Sequence, residues 1–218
     1  MTHRAPTLSC PTRRRALAQA VVCGMALGGL ASTASAQAVL GAAAPAFSAR
    51  DTAGKTVSLS DFRGKTVVLE WVNPGCPYVR KHYSSNNMQA TQKAAAERGV
   101  VWLAVNSTAT DATDYLSPDT MGAWMREQKA AATATLMDAD GKVGRLYGAR
   151  TTPHLYVIDA RGLLVYAGAI DNKPTARAAD VAGATNHVNQ ALAEVLAGKP
   201  VTVASTQPYG CSVKYASM

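Results

Sequence analysis

Cysteine is scarce in this sequence, with only four in 218 residues. Two of them, Cys10 and Cys23, lie within the first 36 residues, which leaves Cys76 and Cys211 for the rest of the chain. So few cysteines exclude a small domain that is held together by a disulfide framework. In an oxidising compartment, two widely separated cysteines indicate either one structural bridge or one redox pair.

Aromatic residues are also few, at 6% of the chain, and they do not alternate with clusters of basic residues as they do on nucleic-acid surfaces. The formal net charge is +8, but residues 1–36 hold four arginines and no acidic residue, so removal of that segment lowers the charge to +4. The basic excess is therefore mainly a feature of the first 36 residues. We expect no nucleic-acid partner.

Residues 1–36 have the organisation of an export signal. Three arginines at 13–15 precede an apolar run at 16–30, and the small residues at 34–36 form a cleavage site. The arginine pair at 13–14 fits the twin-arginine route, and general secretory export fits equally. The apolar run is too short and too rich in glycine to span a membrane comfortably. We therefore predict export to the periplasm, with no stable membrane insertion after cleavage.

About 180 residues remain after the signal, which is enough for one domain with its own core. Apolar runs typical of strands alternate with helical segments, from the run at 66–72 to a hairpin at 151–167 and one long helix at 178–196. Such alternation predicts an α/β fold whose central mixed β-sheet is flanked by helices on both faces. We assign residues 37–198 to this domain and residues 199–218 to a C-terminal tail.

Cys76 lies where a strand is expected to give way to a helix. The run at 66–72 predicts a buried strand, the Asn-Pro-Gly sequence at 73–75 a turn, and Pro77 the first position of a helix, so that Cys76 is the expected N-cap. Unpaired N–H groups and the helix dipole favour a thiolate there, and the basic residues at 80–82 would add to this effect if they face the sulfur. We expect a nucleophile rather than a small buried hydrophobic residue.

Glu70 lies six residues before Cys76, among the apolar residues of the same predicted strand. If its carboxyl is buried, its pKa is raised and it can transfer protons near neutral pH. The alternative is a side chain that faces solvent from an irregular strand end.

Three motifs occur in an order that is typical of one superfamily. They are Cys76-Pro77-Tyr78-Val79 with Glu70 before it, Asp138-x-x-Gly141 with Tyr147-Gly148 after it, and Thr152-Pro153 at the start of a hairpin. Over residues 45–198 the sequence resembles the thioredoxin-like superfamily. It is most similar to the redoxin branch, which includes peroxiredoxins (alkyl hydroperoxide reductase and thiol-specific antioxidant proteins) and exported thiol-disulfide oxidoreductases. The resemblance implies a thioredoxin-like fold in which Pro153 is cis and packs beside the reactive cysteine.

The resemblance also implies an activity: a peroxiredoxin-like, thiol-dependent oxidoreductase without cofactor or metal. Its substrate would be a peroxide, or a disulfide of a protein or small molecule, and its reductant a thiol. Cys76 would be the nucleophile, with Glu70 moving protons. The expected substrate-binding residues are Tyr78, Thr152, Pro153 and His154. For His154, a packed or surface histidine is the alternative.

Two departures limit this resemblance. Val79 stands where a thioredoxin has its second cysteine, and Leu69 and Asn73 stand where peroxiredoxins have the proline and threonine of their peroxide pocket. The absence of an adjacent resolving thiol leaves Cys211 with three interpretations. It is a resolving cysteine, half of a static bridge to Cys76, or an unpaired thiol in the tail.

A second hypothesis keeps the fold without the chemistry. In it, the chain is a redox-inactive peptide-binding or chaperone-like module that presents the groove around Pro153 to extended peptides, and Cys76 is dispensable. Metal handling through Cys76 and a histidine is a third hypothesis, but a second cysteine close to the first is missing.

Overall fold

The computed structural model describes residues 1–3 and 37–217. Nearly all of the predicted export signal, including Cys10 and Cys23, lies outside the described residues. None of the helices in the described ranges is long and apolar enough to cross a membrane.

Between residues 48 and 212, strands and helices alternate along most of the chain. The strands are β1 (Ser48–Asp51), β2 (Thr56–Ser58), β3 (Val67–Trp71), β4 (Val101–Asn106), β5 (Ala134–Met137), β6 (Thr151–Thr152), β7 (His154–Ile158), β8 (Leu164–Gly168) and β9 (Cys211–Ser212). The α-helices are α1 (Pro77–Ser84), α2 (Asn87–Glu97), α3 (Pro118–Glu127), α4 (Lys142–Tyr147) and α5 (His187–Leu196).

Seven strands form one mixed sheet in the order β2-β1-β5-β4-β3-β7-β8. Strand β3 lies near its centre, parallel to β4 and antiparallel to β7, and all five of its residues are buried. Because a strand that is covered on both faces directs alternate side chains to opposite sides, β3 contributes to two cores. The predicted α/β fold with a central mixed sheet flanked by helices on both faces is confirmed.

The two cores lie on opposite faces of this sheet. The first core contains Val68 of β3 and Val72 directly after it, and it is covered by α1, α2, α3 and α5. The second core contains Leu69 and Trp71 and is covered by α4. Cys76 belongs to the first core, so the predicted nucleophile lies on the face with four helices.

The prediction of one long helix at 178–196 is wrong. The structure has a 3₁₀ helix at Ala178–Gly183, an extended residue at Ala184, and then α5. The side chain of Asn186 caps α5 by accepting a hydrogen bond from the backbone N–H of Asn189 at 2.9 Å. An asparagine that satisfies a free N–H group in this way starts a new helix, and the apolar periodicity does not record the break.

The C-terminal tail runs back across the domain. Ser205 lies beside Ala167 of β8 in a parallel bridge, and β9 pairs with β6 in a separate two-stranded ladder. Further along, the backbone N–H of Ala109 donates to the carbonyl of Lys214 at 2.8 Å. The tail is thereby packed on the domain on both sides of Cys211.

Candidate active site

Cys76 occupies the N-cap of α1, as the sequence predicts. The preceding turn is closed by Asn73, whose Oδ1 accepts from the N–H of Gly75 at 2.7 Å and whose carbonyl accepts from the N–H of Cys76 at 3.0 Å. The thiol of Cys76 donates to the carbonyl of Thr152 at 3.0 Å. The residue is only 2% exposed, so the sulfur is covered in this conformation.

The Thr152–Pro153 peptide bond is cis, which confirms the isomer that the resemblance implies. Thr152 is buried, and its hydroxyl has no hydrogen-bond partner among the residues that the structure describes. The carbonyl of Thr152 contacts the Cys76 thiol, so the cis-proline segment lies directly beside the sulfur.

Cys211 reaches the same place from the tail. In the β6–β9 ladder it lies opposite Thr152, and its side chain packs against the first core, of which Cys76 is a member. Both cysteines are free thiols. Burial, followed by the interaction with the Cys76 sulfur, raises the pKa of the Cys211 thiol to about 12. The two predicted catalytic cysteines, far apart in sequence, are therefore neighbours in the fold.

Gly210 explains how the tail can approach so closely. Its φ is +135°, and a Cβ at this position would lie 2.0 Å from the carbonyl oxygen of Thr152. Only glycine tolerates both that conformation and that contact. The sequence around Cys211 predicts no strand, and a glycine directly before the cysteine is its one sign of close packing.

The basic residues after Cys76 do not contact its sulfur. The Nε of Arg80 donates to the carbonyl of Pro74 at 2.7 Å. The Nζ of Lys81 and the Nε2 of His82 instead lie 3.5 Å and 4.0 Å from Asp171 Oδ2. These contacts therefore do not stabilise a thiolate at Cys76, as they would if the basic side chains faced its sulfur.

Glu70 is fully buried, which excludes the solvent-facing alternative. One carboxylate oxygen accepts from the Tyr83 hydroxyl at 2.9 Å, and the other from Trp102 Nε1 at 2.7 Å and Gln92 Nε2 at 3.0 Å. Burial raises the pKa of Glu70 to about 7, and the three hydrogen bonds oppose this shift only in part. Its hydrogen-bond partners do not include Cys76, but Tyr83 lies on α1, the helix that Cys76 caps.

The remaining predicted residues divide between the two sides of the sheet. Tyr78 packs against the first core, and its ring centroid lies 5.9 Å from that of Tyr209 in the tail. The ring of His154 instead packs against that of Tyr156 in the second core, with ring centroids 4.5 Å apart, and its Nδ1 lies 3.1 Å from the Tyr156 hydroxyl. Burial, together with the nearby charge of Arg150, lowers the pKa of His154 to about 3. The structure thus brings Tyr78, but not the ring of His154, to the side of Cys76.

A groove of about 350 Å³ borders the turn before Cys76 and is lined in part by Gly75 and Asp114. Asp114 Oδ2 accepts from Asn73 at 2.9 Å and pairs with Lys214 Nζ at 2.6 Å, which ties the tail to the turn. A larger cavity of about 820 Å³ is lined by none of the predicted site residues. Within residues 1–3 and 37–217, no three His, Cys, Asp or Glu side chains are grouped so that they could hold a metal ion.

Residues 40–167 match the model of the AhpC/TSA family. The chain belongs to the AhpC/TSA family. The matched residues include Glu70, Cys76 and Pro153 and end before Cys211.

Solved structures show the same fold. A hypothetical protein from Sinorhizobium meliloti has a TM-score of 0.71 at 24% identity, over 83% of this chain and 96% of its own. An uncharacterized conserved protein from Geobacillus kaustophilus has a TM-score of 0.70 at 25% identity, over 83% and 94%. Among curated proteins, none is significantly similar. The thioredoxin-like fold of this AhpC/TSA member is thereby confirmed.

Proposed function

We propose that the chain is an exported thiol oxidoreductase in which Cys76 is the nucleophile and Cys211 is the resolving cysteine. The observation that supports this most directly is the convergence of two free thiols on Thr152: Cys76 donates to its carbonyl, and Cys211 lies opposite it in the β6–β9 ladder. A thiol at a helix start beside a second thiol is suited to forming and breaking one disulfide bond.

With a peroxide as substrate, the thiolate of Cys76 attacks one peroxide oxygen and the O–O bond breaks. Cys76 becomes a sulfenic acid, and the leaving oxygen takes a proton to become water or an alcohol. The sulfur of Cys211 then attacks the Cys76 sulfur, the S–O bond breaks, a disulfide forms, and the hydroxyl group leaves as water with the proton of the Cys211 thiol. An external dithiol restores both thiols and is itself oxidised to a disulfide.

With a disulfide as substrate, the same two thiols act in the same order. Cys76 attacks one sulfur of the substrate, which forms a mixed disulfide and releases one substrate thiol. Cys211 attacks the Cys76 sulfur and releases the second substrate thiol, so the substrate is reduced and the chain is oxidised.

Glu70 is the proposed proton carrier, because a carboxyl whose pKa is about 7 can hold or release a proton at neutral pH. Its hydrogen bond to Tyr83 connects it to α1 and thus to the element that positions Cys76. Tyr78, Thr152 and Pro153 are the proposed substrate contacts. His154 is left out of that set because its ring packs in the second core.

A thiol titration of the reduced full chain tests this proposal. After hydrogen peroxide or a small disulfide is added, peptide-resolved mass spectrometry reads each cysteine separately, so Cys10 and Cys23 do not confuse the result. We expect rapid loss of both thiols with a Cys76–Cys211 bridge. Cys76→Ser should abolish this reaction, whereas Cys211→Ser should allow one turnover or require added thiol. Slow oxidation without a bridge would contradict the proposal.

A second candidate function is a peptide-binding module without turnover. The 2% exposure of Cys76 favours it, since a covered thiol is a poor nucleophile. Against it, the edge of β6 is already paired with β9, so an extended peptide would have to displace the chain's own strand. Binding of unfolded polypeptide that is equally strong in Cys76→Ser and in Cys211→Ser would support this alternative.

Export to the periplasm is the remaining part of the proposal. It is supported by the arginines, the apolar run and the small residues of the sequence at 13–36. Cell fractionation with N-terminal sequencing is the test, and we expect a periplasmic chain that begins near residue 37. A cytoplasmic chain that keeps its first 36 residues would contradict it.

A further inference from the structure

A buried polar cluster joins α1 to the tail just before Cys211. Its members are Lys81 and His82 of α1, Asp171 from the loop after β8, and Tyr209. The side chains of Lys81, His82 and Asp171 are at most 1% exposed. Burying charged groups is costly unless they are paired and hydrogen-bonded, so core packing alone does not account for this cluster.

Tyr209 is the hub of this cluster. Its hydroxyl donates to Asp171 Oδ1, lies 3.1 Å from His82 Nε2, and accepts from Lys81 Nζ at 3.3 Å. A phenol has one donor and two acceptor positions, so these three contacts use its full capacity. On the far side of the imidazole ring, the amide nitrogen of Asn87 lies 2.9 Å from Nδ1, which assigns the proton of the neutral ring to Nε2.

The strand that carries Cys211 needs such an anchor. The β6–β9 ladder has only two residue pairs, Thr151 with Ser212 and Thr152 with Cys211. A ladder of this length has few hydrogen bonds of its own, and short, isolated strand pairs are marginal in water. Tyr209 precedes the ladder by two residues and contacts the helix that Cys76 caps, so it fixes the tail to the same element as the nucleophile.

We propose that Tyr209 is a positioning residue, which Lys81, His82 and Asp171 hold so that the Cys211 strand stays closed over Cys76. The proposal rests on the proposed function, in which Cys211 attacks the oxidised Cys76 sulfur. The proposal describes a conformational equilibrium of β9, the strand that carries Cys211. With Tyr209 held in place the strand is closed, and without this anchor it opens more often and exposes Cys76.

Alkylation of the reduced full chain with iodoacetamide measures this opening, because Cys76 is covered in the closed conformation. Tyr209→Phe keeps the ring and removes the hydroxyl, which takes the hydrogen-bond partner of His82 Nε2 away, while Lys81 and Asp171 keep their hydrogen bonds to the backbone of Lys173. We expect the rate of Cys76 alkylation to rise about ten- to a hundredfold, the range that corresponds to the loss of one such buried hydrogen bond. Asp171→Asn, which removes the charge at nearly constant volume, should act in the same direction and serves if Tyr209→Phe does not fold.

Tyr147→Phe is the matched control, since it also removes a buried hydroxyl, one that donates to the carbonyl of Pro45 at 2.8 Å in the second core. We expect Cys76 alkylation at the wild-type rate in this variant, even if its global stability falls. Equal alkylation rates in wild type and Tyr209→Phe would overturn the proposal. So would an equal increase in Tyr209→Phe and Tyr147→Phe, because general loosening would then explain the result.

A second readout connects the anchor to the chemistry. After hydrogen peroxide is added with dimedone present, the Cys76 sulfenic acid either is trapped by dimedone or forms a disulfide with Cys211. We expect Tyr209→Phe to shift the ratio toward the trapped form by a factor similar to its alkylation effect, and an unchanged ratio would refute the positioning role. If wild type forms neither product, the peroxide route of the proposed function fails, while the alkylation rates still decide whether Tyr209 holds the strand.

Discussion

Replacing Glu70 by glutamine should change how the stability of the protein depends on pH. Glu70 is fully buried, and burial raises its pKa from 4.5 to about 7. The folded state therefore binds a proton more tightly than the unfolded state, and between these two values the unfolding free energy falls as pH rises. This loss of unfolding free energy is absent below pH 4.5 and complete above pH 7. A shift of this size corresponds to about 3 kcal/mol.

Glutamine should fit the same site without that penalty. Its oxygen can accept from Trp102 and Gln92, as one carboxylate oxygen of Glu70 does now. Its NH₂ group can donate to the hydroxyl of Tyr83, which then turns its own proton toward the sulfur of Met125, 3.9 Å away. The variant loses the titrating group and keeps the hydrogen bonds.

The assay is chemical unfolding of both proteins at pH 5 and pH 8. The difference between wild type and Glu70→Gln is the informative quantity, because His82 and His154 have lowered pKa values and change stability in the opposite direction over acidic pH. We expect wild type to lose about 2.5 kcal/mol more than Glu70→Gln between the two pH values. Parallel pH profiles would refute the reasoning, and with it the basis for Glu70 as a proton carrier.

Three further predictions concern other parts of the site. Wild type should lose about 2 kcal/mol of unfolding free energy between pH 7 and pH 5, because a buried histidine with a folded-state pKa near 3 resists a proton that the unfolded chain accepts. His154→Gln should remove this loss, and unfolding curves at the two pH values measure it. Gly210→Ala should disrupt the contact with Thr152 and accelerate Cys76 alkylation by roughly ten- to a hundredfold, whereas an unchanged rate would show that the tail tolerates a side chain there. Lys214→Met should lower the unfolding free energy by less than about 1 kcal/mol, because its ion pair with Asp114 is partly exposed, and a larger loss would assign it a structural role.

The position of Cys76 was predictable because its determinants are local. An apolar β-branched run, a turn with proline and glycine, and Pro77 at the first helical position fix the strand, the N-cap and the helix within a dozen residues of sequence. For Glu70, its apolar neighbours favoured burial but left a solvent-facing side chain as the alternative, and the structure decides for burial.

The docking of the tail was not predictable, because it depends on pairing between segments that are distant in sequence. The two-residue β9 has too little periodicity to be recognised, and nothing near Lys81 indicates that its partners are Asp171 and Tyr209. The direction of the His154 side chain was not predictable either. Its neighbour Pro153 lies by the sulfur, but side chains alternate along a strand, so the ring of His154 packs in the second core.

In the proposed function, one closed strand accounts both for the cover over Cys76 and for the position of Cys211 beside it. A substrate that requires the open conformation reacts at a rate reduced by the open fraction, so an opening equilibrium of about 1 in 100 would slow the first step about a hundredfold. In this proposal the same closure holds Cys211 against Cys76 and makes the second step an intramolecular reaction of high effective concentration. Loosening the strand should therefore accelerate oxidation of Cys76 and delay disulfide formation, and these opposite changes in one variant would distinguish a closing strand from a merely buried thiol.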